Sequence, residues 1–501
     1  MKTAVGLLRI VGVGVGVLAV AAGLGYAAAP DSLWMRAYGD SAQQQCRCII
    51  ETSDHGYALT GFTTVTSPGG VKNTDVYVVR LDPNGNVKWS RNYGGFGDDV
   101  GYGVRQTADG GFVVAGSYGY PADPNNKDLY LIKLDSLGTK QWERMYSAMG
   151  YDEAFDVQLV GNDAGFILVG YTQSVVPVNS DVYVVRTNSV GDTLYTRRYD
   201  FTINDKGYSI CAVRGGGYVL CGHVQGSQSY DVLILKISAQ LDSLWSKTYG
   251  GSGTDIAYSI KALSDGGLIL AGERAVVETG THNAWALRTN STGDTLWTRT
   301  MTDAVVTRFF SVDRTSDGEY VFAGQYDAGS LASRDFYVVK LTGTGAVDWQ
   351  TRYGTPTEDV ALSVAQIFSG DYIIGGYTGL SGSGSQDVLV VKTGAMAGVS
   401  REAPIGSSQG CVPVLTTYPN PTACSATVGF DLGVGCQAKV GIYDVAGKLV
   451  ARVFSGKLAA GRQAFQWDGR DLDGVVVSPG VYWCKLQAGG EEAVKKVIVA
   501  R

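Results

Sequence analysis

Histidine is almost missing from this chain: 3 residues in 501. His55, His223 and His282 stand far apart in turn- or loop-like stretches. No histidine-based metal set or nucleophile–base pair is spelled by their spacing, and each reads as a solvated residue rather than a base. Charge is also scarce, at 18% of residues with a net −6, against a usual ~25%. Nothing basic is concentrated enough to hold nucleic acid or an anionic membrane. Eight cysteines include no CxxC pair, so no zinc site is implied. No segment sustains a 3.6-residue apolar period, which excludes a helical solenoid. No glycine-rich stretch sits between a strand and a helix as a phosphate loop does, and no cofactor or metal is expected. After residue 29 no apolar run could span a bilayer as a helix.

Glycine is abundant, at 69 residues, and so is tyrosine, at 29. That mixture suits many short strands joined by tight turns. At 501 residues, one ordinary core is not expected. The N-terminus has the build of a secretory signal peptide, residues 1–29. Lys2 and Arg9 precede an uncharged run, IVGVGVGVLAVAAGLGYAAA, that ends in small residues. An uncleaved anchor is the alternative, but glycine and alanine dilute the run. Export permits disulfides. Cys211 and Cys221 flank a hairpin turn, RGGG, and are placed to pair across strands. Cys46 and Cys48 alternate on one strand, share a face and do not suit each other.

The dominant signal is repetition. Aromatic anchors stand at Trp34, Trp89, Trp142, Tyr195, Trp245, Trp297 and Trp349, spaced 55, 53, 53, 50, 52 and 52 residues. Each anchor strand leads through a glycine-rich crossover to three further strand-length segments. GYGVRQT, GFVVAG and DLYLIKLD, at residues 101–135, are one set. Four strands in about fifty residues describe a propeller blade. Seven anchors and seven DVYVVR-like segments predict seven blades over residues 30–393. The first anchor strand follows the leader directly, and the last DVLVVK has no anchor after it. The first strand should therefore complete the last blade and close the ring.

In the anchor pattern W-x-R-x-Y, the Trp, Arg and Tyr share a face. They should fill the wedge between blades, with the cation stacked on rings. Six residues after the Tyr comes an acid in five copies: Asp99, Asp152, Asp205, Asp255 and Asp359. These acids suit Asx-type turns that satisfy loop amides. The sharper alternative is an acidic ring, around a central channel, that attracts a ligand. Crossovers and second-to-third-strand loops share one face. That face carries the loops that differ, so recognition is expected there, with Tyr118, Tyr120 and Tyr171 as candidate contacts.

Residues 394–416 read as a linker, followed by alternating strands to residue 501 that imply a small Ig-like β-sandwich. RDLDG, at 470–474, reads as a surface turn rather than a calcium loop. YPNP, IYDVAGKLV, WDGRD, GVYWCKL and the terminal KKVIVAR make residues 417–501 resemble the C-terminal sorting domain of type IX secretion cargo. They are also similar to its relative, the immunoglobulin-like domain of the flagellar hook-capping protein. The resemblance implies an exported bacterial protein, secreted or held at the outer cell surface, whose tail is read by a type IX-like secretion machine. The propeller repeats are similar, more loosely, to those of secreted bacterial propeller proteins. Together these features imply a non-enzymatic, surface or secreted propeller that binds an extracellular protein or glycan. Two other readings stand beside it. One is a propeller enzyme cutting extracellular polysaccharide, which needs a carboxylate pair, or a carboxylate beside a Tyr and an Arg, at the channel mouth. The other is a purely structural surface component.

Overall fold

A computed structural model describes residues 29–499 apart from 41, 67–69, 149, 162, 175–178, 227–228, 277–280, 330–333, 380–385, 395–415, 419–424, 433–434, 445–447, 459–460, 473 and 489–490. The signal segment, most of the 394–416 linker, Cys411, Cys424 and the tips of several variable loops lie outside the described residues. The chain divides into two compact units, Met1–Val399 and Ser400–Arg501.

The first unit is all β and of propeller type. Each sequence repeat forms an antiparallel four-strand meander. In the second repeat the strands are β6 (Val100–Gln106), β7 (Phe112–Tyr120), β8 (Asp123–Leu134) and β9 (Lys140–Tyr146). The first strands of the repeats are β2 (Gln44–Glu51), β6, β10 (Tyr151–Val160), β14 (Lys206–Ala212), β18 (Asp255–Ala262), β22 (Val306–Arg314) and β26 (Asp359–Gln366). Each contacts the next in that order, and β26 contacts β2. The sheets are five of four strands and one of eight, the latter being two meanders joined by a single parallel bridge, Tyr151 to Lys127. β1 (Ser32–Tyr38) runs antiparallel to β28 (Gln386–Thr393), with Arg36 opposite Val390, and completes the sheet of the last repeat.

The DVYVVR-like strands explain the packing. A strand covered on both faces needs apolar residues at successive positions. In β4 (Lys72–Leu81), Val76 and Val78 enter the core shared with the second repeat, while Tyr77, Val79 and Leu81 enter the core shared with the last one. That second core joins Tyr38, Ile373, Val388 and Val390 to Cys46, Tyr57 and Leu59. Each fully buried Val or Ile contributes roughly 1.5–3 kcal/mol.

The anchor residues fasten each repeat to the next one's hairpin turn. Trp89 meets Phe112 edge-on at 6.0 Å, and its indole N–H donates to the Ser136 carbonyl at 3.2 Å. Tyr93 donates to the Gly138 carbonyl at 2.5 Å, Tyr146 to Gly191 at 2.7 Å, Tyr199 to Leu241 at 2.6 Å and Tyr38 to Gly85 at 2.7 Å. Gly85 and Gly138 hold φ near +79° and +78° directly against the Trp34 and Trp89 rings. Both the conformation and the closeness require glycine there. The middle cation stacks on its own Trp in two copies, Arg36 at 5.4 Å and Arg144 at 5.5 Å. More regularly it reaches the next turn: Arg36 to Asn86 at 3.1 Å, Arg197 to Asp242 at 2.6 Å and Lys247 to Asp294 at 2.5 Å. Tyr195, the one non-Trp anchor, is 42% exposed.

Two cysteine expectations are corrected. Cys211 and Cys221 are free thiols. In their hairpin Cys211 lies opposite Val219 and Cys221 opposite Ser209, so they are offset by two positions rather than paired. The Cys221 thiol points to the Ala257 carbonyl at 3.7 Å. Cys46 and Cys48 do not share a face. A bulge at Arg47 inserts an extra residue, which sends Cys46 into one inter-sheet core and Cys48 into the neighbouring one.

The second unit is a sandwich. One sheet has the order β29 (Thr416–Tyr418), β30 (Ala426–Leu432), β33 (Gly461–Trp467). The other has the order β32 (Leu449–Leu458), β31 (Cys436–Tyr443), β34 (Gly480–Ala488), β35 (Glu491–Val499). Val428, Phe430, Ile442, Trp467, Leu486 and Val497 share its core. In the RDLDG stretch Asp471 accepts from the Val475 amide at 2.8 Å, as a tight turn does.

Candidate functional site

The Arg47 bulge belongs to a series. Each of the first strands has its register break at the same place: around Arg47, Tyr102, Phe155, Tyr208, Tyr258, Phe310 and Leu362. A bulge turns its extra residue out of the pleat. Here that residue points away from both inter-sheet cores, and the side chains meet from repeat to repeat. Ring centroids lie 4.9 Å apart for Tyr102–Phe155, 5.1 Å for Phe155–Tyr208, 5.3 Å for Tyr208–Tyr258 and 5.2 Å for Tyr258–Phe310. The Arg47 guanidinium sits 5.9 Å from the Tyr102 ring. The innermost strands thus carry an aromatic ladder through five consecutive repeats, flanked by Arg47 and Leu362.

One position beyond the bulge, short polar side chains tie the inner strands together. Ile49 N–H donates to Ser363 Oγ at 3.1 Å, Val364 N–H to Ser311 Oγ at 3.1 Å and Val312 N–H to Ser259 Oγ at 3.3 Å. Asp156 accepts from Ile210 N–H at 3.1 Å and pairs with Arg105 at 2.8 Å.

Above the ladder, towards the crossovers, ionisable side chains gather. Glu153 accepts from the phenols of Tyr151 at 3.2 Å and Tyr171 at 3.3 Å, and pairs with Lys127 at 3.5 Å. Lys206 Nζ rests 3.7 Å from the centre of the Tyr171 ring, and burial lowers its pKa from the ordinary value. His223, 4% exposed, lies 5.5 Å from the Tyr208 ring and 4.5 Å from Tyr230. Burial, helped by the Lys206 charge, pushes its pKa down to about 3, so it is neutral. The expectation that the histidines are solvated fails for His223, which sits on β15 (Tyr218–Gln225) facing the ladder. Glu273, 4% exposed, accepts from Tyr258 at 2.6 Å and pairs with Arg308 at 2.5 Å, and His282 Nδ1 lies 2.8 Å from its carboxylate. Burial, then the Glu273 charge, holds the Tyr258 phenol far above its usual range.

The five repeated acids lie elsewhere. Asp99, Asp152, Asp205, Asp255 and Asp359 are all fully buried, clasping their crossover loops. Asp99 accepts from the amides of Gly95 at 2.7 Å and Gly119 at 2.8 Å. Asp205 accepts from Phe201 at 2.6 Å and Thr202 at 2.7 Å. Asp152 and Asp255 hold Ala148 and Gly251 at 2.8 and 2.7 Å, and Asp359 holds Thr355. Burial raises Asp99 to about 7, and Asp255 and Asp359 to about 6. These positions present no exposed ring of acids. Thr307 and Gln44 occupy the two copies without an acid: Thr307 accepts from Ala284 N–H at 2.8 Å, and Gln44 donates to Asp40 at 2.7 Å.

Of the three tyrosines, only Tyr171 joins the ladder, stacked on Phe155 at 5.7 Å. Tyr118 is wedged against Tyr130 at 5.2 Å between the first two repeats, and Tyr120 donates to Asp128 at 2.6 Å. The ladder, Glu153, Lys206, His223, Glu273 and Arg308 are not marked by the repeat pattern alone. A signal was present. The triads CRC, GYG, AFD, GYS, AYS, FFS and ALS each place one large side chain between smaller or core residues at the same point of the repeat.

The chain matches no curated protein. Several solved structures are similar in fold. PorZ, a surface component of the type-IX secretion system of Porphyromonas gingivalis, is 10% identical, covering 89% of this chain and 69% of that one, with a TM-score of 0.34. The β-propeller domain of the trilobed protease from Pyrococcus furiosus is 11% identical over 70% and 94%, with a TM-score of 0.40. The Pan2 WD40 domain of Neurospora crassa is 8% identical over 70% and 90%, with a TM-score of 0.44. Residues 425–492, within the C-terminal sandwich, match the FlgD Ig-like domain family.

Proposed function

We propose that this chain is an exported, seven-bladed propeller, closed by its N-terminal strand, that binds an extracellular ligand at the channel mouth. Its C-terminal sandwich serves secretion through a type IX-like machine or surface attachment. The aromatic ladder carries the binding reading. It spends five large rings on the channel wall, apart from the cores that hold the blades together, and binding sites are built from apolar walls with a few placed polar groups. Closure is supported by the β1–β28 pairing and by the β26–β2 contact. Export is supported by the leader and the motifs of the tail.

The test is an array of extracellular polysaccharides and matrix proteins probed with the full chain and two variants. Tyr208→Ala with Tyr258→Ala should abolish retained binding, and Arg91→Ala on the outer rim should leave it unchanged. Equal retention by all three chains overturns the reading. Intact mass from the native host tests processing: loss of the leader and of the tail is expected, and a full-length mass contradicts it.

A second reading, a polysaccharide-cleaving enzyme, is favoured by Glu273 beside Tyr258 and Arg308. In that reading Glu273 takes the phenolic proton as Tyr258 attacks the anomeric carbon and passes it to the glycosidic oxygen as the C–O bond breaks. Water then displaces the tyrosyl oxygen from the sugar, returning a proton to the phenol and leaving a new reducing end. Release of new reducing ends, lost in Glu273→Gln, is the expected outcome; product formation equal to a no-protein control contradicts it.

A further inference from the structure

The cations on the channel wall are not equivalent. Lys127 has Glu153, Arg308 has Glu273, and Arg334 has Asp327 at 2.8 Å and Glu358 at 2.6 Å. Lys206 and Arg47 have no carboxylate within 4.0 Å among the described residues. Lys206 has the Tyr171 ring, and Arg47 has the rings of Phe62 and Tyr102, each at 5.9 Å. Arg47 Nε, though buried, finds no hydrogen-bond acceptor among the described residues. A ring face offsets only part of the cost of taking a cation out of water. These two groups therefore keep unused capacity for an anion, and both border the ladder. Beside Lys206, the buried His223 Nδ1 has no partner among the described residues either. A neutral imidazole offers one donor and one acceptor, which suits a hydroxyl.

This combination fits one ligand chemistry better than others. A sugar ring presents an apolar face to an aromatic wall, hydroxyls at its edge and, in a uronic acid, a carboxylate. A neutral glycan would leave Lys206 and Arg47 as they are. A bare anion would leave the rings unused. Resting on the binding reading above, we propose that the channel mouth takes an acidic glycan. The sugar face lies on the Phe155–Tyr208 segment of the ladder, the carboxylate pairs with Lys206 or Arg47, and a hydroxyl meets His223.

The experiment is calorimetric titration of the full chain with oligogalacturonate and, separately, with cello-oligosaccharide of the same length as the neutral control. Oligogalacturonate should bind and weaken with rising salt. Lys206→Met should weaken it by about ten-fold, the loss expected for one charge-assisted contact. Tyr208→Ala should weaken it comparably, and Lys206→Arg should restore most of the affinity. Thermal melts establish that each variant is folded. Preference for the neutral oligomer, with Lys206→Met silent, overturns the acidic-glycan assignment while leaving a glycan-binding mouth intact. Acidic binding unchanged by both Lys206→Met and Tyr208→Ala overturns the assignment together with the channel location. Absence of binding to either oligomer overturns the glycan inference, and the protein arm of the array then judges the broader reading alone.

Discussion

The anchor strands, here the rim, and the bulged first strands, here the wall, come from the same repeats and obey opposite rules. On the rim, the phenol of the anchor strand donates to a turn carbonyl of the next repeat in most copies, Tyr38 to Gly85, Tyr93 to Gly138 and Tyr146 to Gly191, with Tyr199 to Leu241 as a variant and Met301 in place of the phenol in the sixth copy. On the wall, one geometric device, the bulge, recurs while its occupant changes from Arg47 to Tyr102, Phe155 and Leu362. A joint between neighbouring repeats has the same task in every copy, so its parts recur with few substitutions. A recognition surface has no such requirement and gains from differing around the ring. Repetition of residue and partner together marks scaffold; repetition of backbone with a varied side chain marks candidate site.

The largest expected effect is at the closure. Removing residues 32–38 leaves β28 with an open edge and exposes the core that Tyr38 shares with Tyr57 and Val388. Thermal unfolding should fall by roughly 10 °C; an unchanged midpoint would separate β1 from the ring. Next is the crossover clasp. Asp99→Ala strands the amides of Gly95 and Gly119 and should cost about 2–3 kcal/mol in urea unfolding, whereas Tyr208→Ala on the wall should cost less than that. The reverse order would break the division between scaffold and site.

The same clasps predict a pH dependence. Asp99, Asp255 and Asp359 titrate higher folded than unfolded, at about 7, 6 and 6, against an unfolded value of ~3.9. The folded state therefore binds their protons more tightly. Stability from these groups rises as pH falls through about 7 and 6, and is fully present only below about pH 4. Asp109, held down to about 2 by Lys133 and loop donors, contributes in the opposite sense, and its share is lost only below about pH 4. Midpoints measured at constant ionic strength should rise from pH 8 to a maximum near pH 4, and a steady fall from pH 8 to pH 5 would contradict the burial of these acids. The smallest effect is a single rim hydrogen bond. Tyr93→Phe removes the donor to Gly138 and should cost about 1 kcal/mol, and Tyr199→Phe should match it if the joints are equivalent.

What was legible in the sequence follows the same division. The rim was readable because W-x-R-x-Y and its turn glycine are spelled in consecutive residues at a fixed spacing. The clasp was readable as a turn acid, with its amide partners left to the structure. The wall was not read, because a bulge breaks the two-residue alternation on which face assignments rest. The same break misplaced Cys46 relative to Cys48. Pairs such as Glu273 with Arg308 lie on strands of different repeats, and no local pattern announces them. His223 looks solvated in sequence because its neighbour Lys206 is 17 residues earlier and reaches it only through strand pairing.

Native-state hydrogen exchange of β1, in the full chain, tests the central claim most directly. The account predicts that those amides of residues 34–38 that point into the ladder with β28 are protected and are released in the same opening event as the amides of residues 388–392, their ladder partners. Exchange of residues 34–38 at unprotected rates, with residues 388–392 still protected, would contradict a ring sealed by its leading strand.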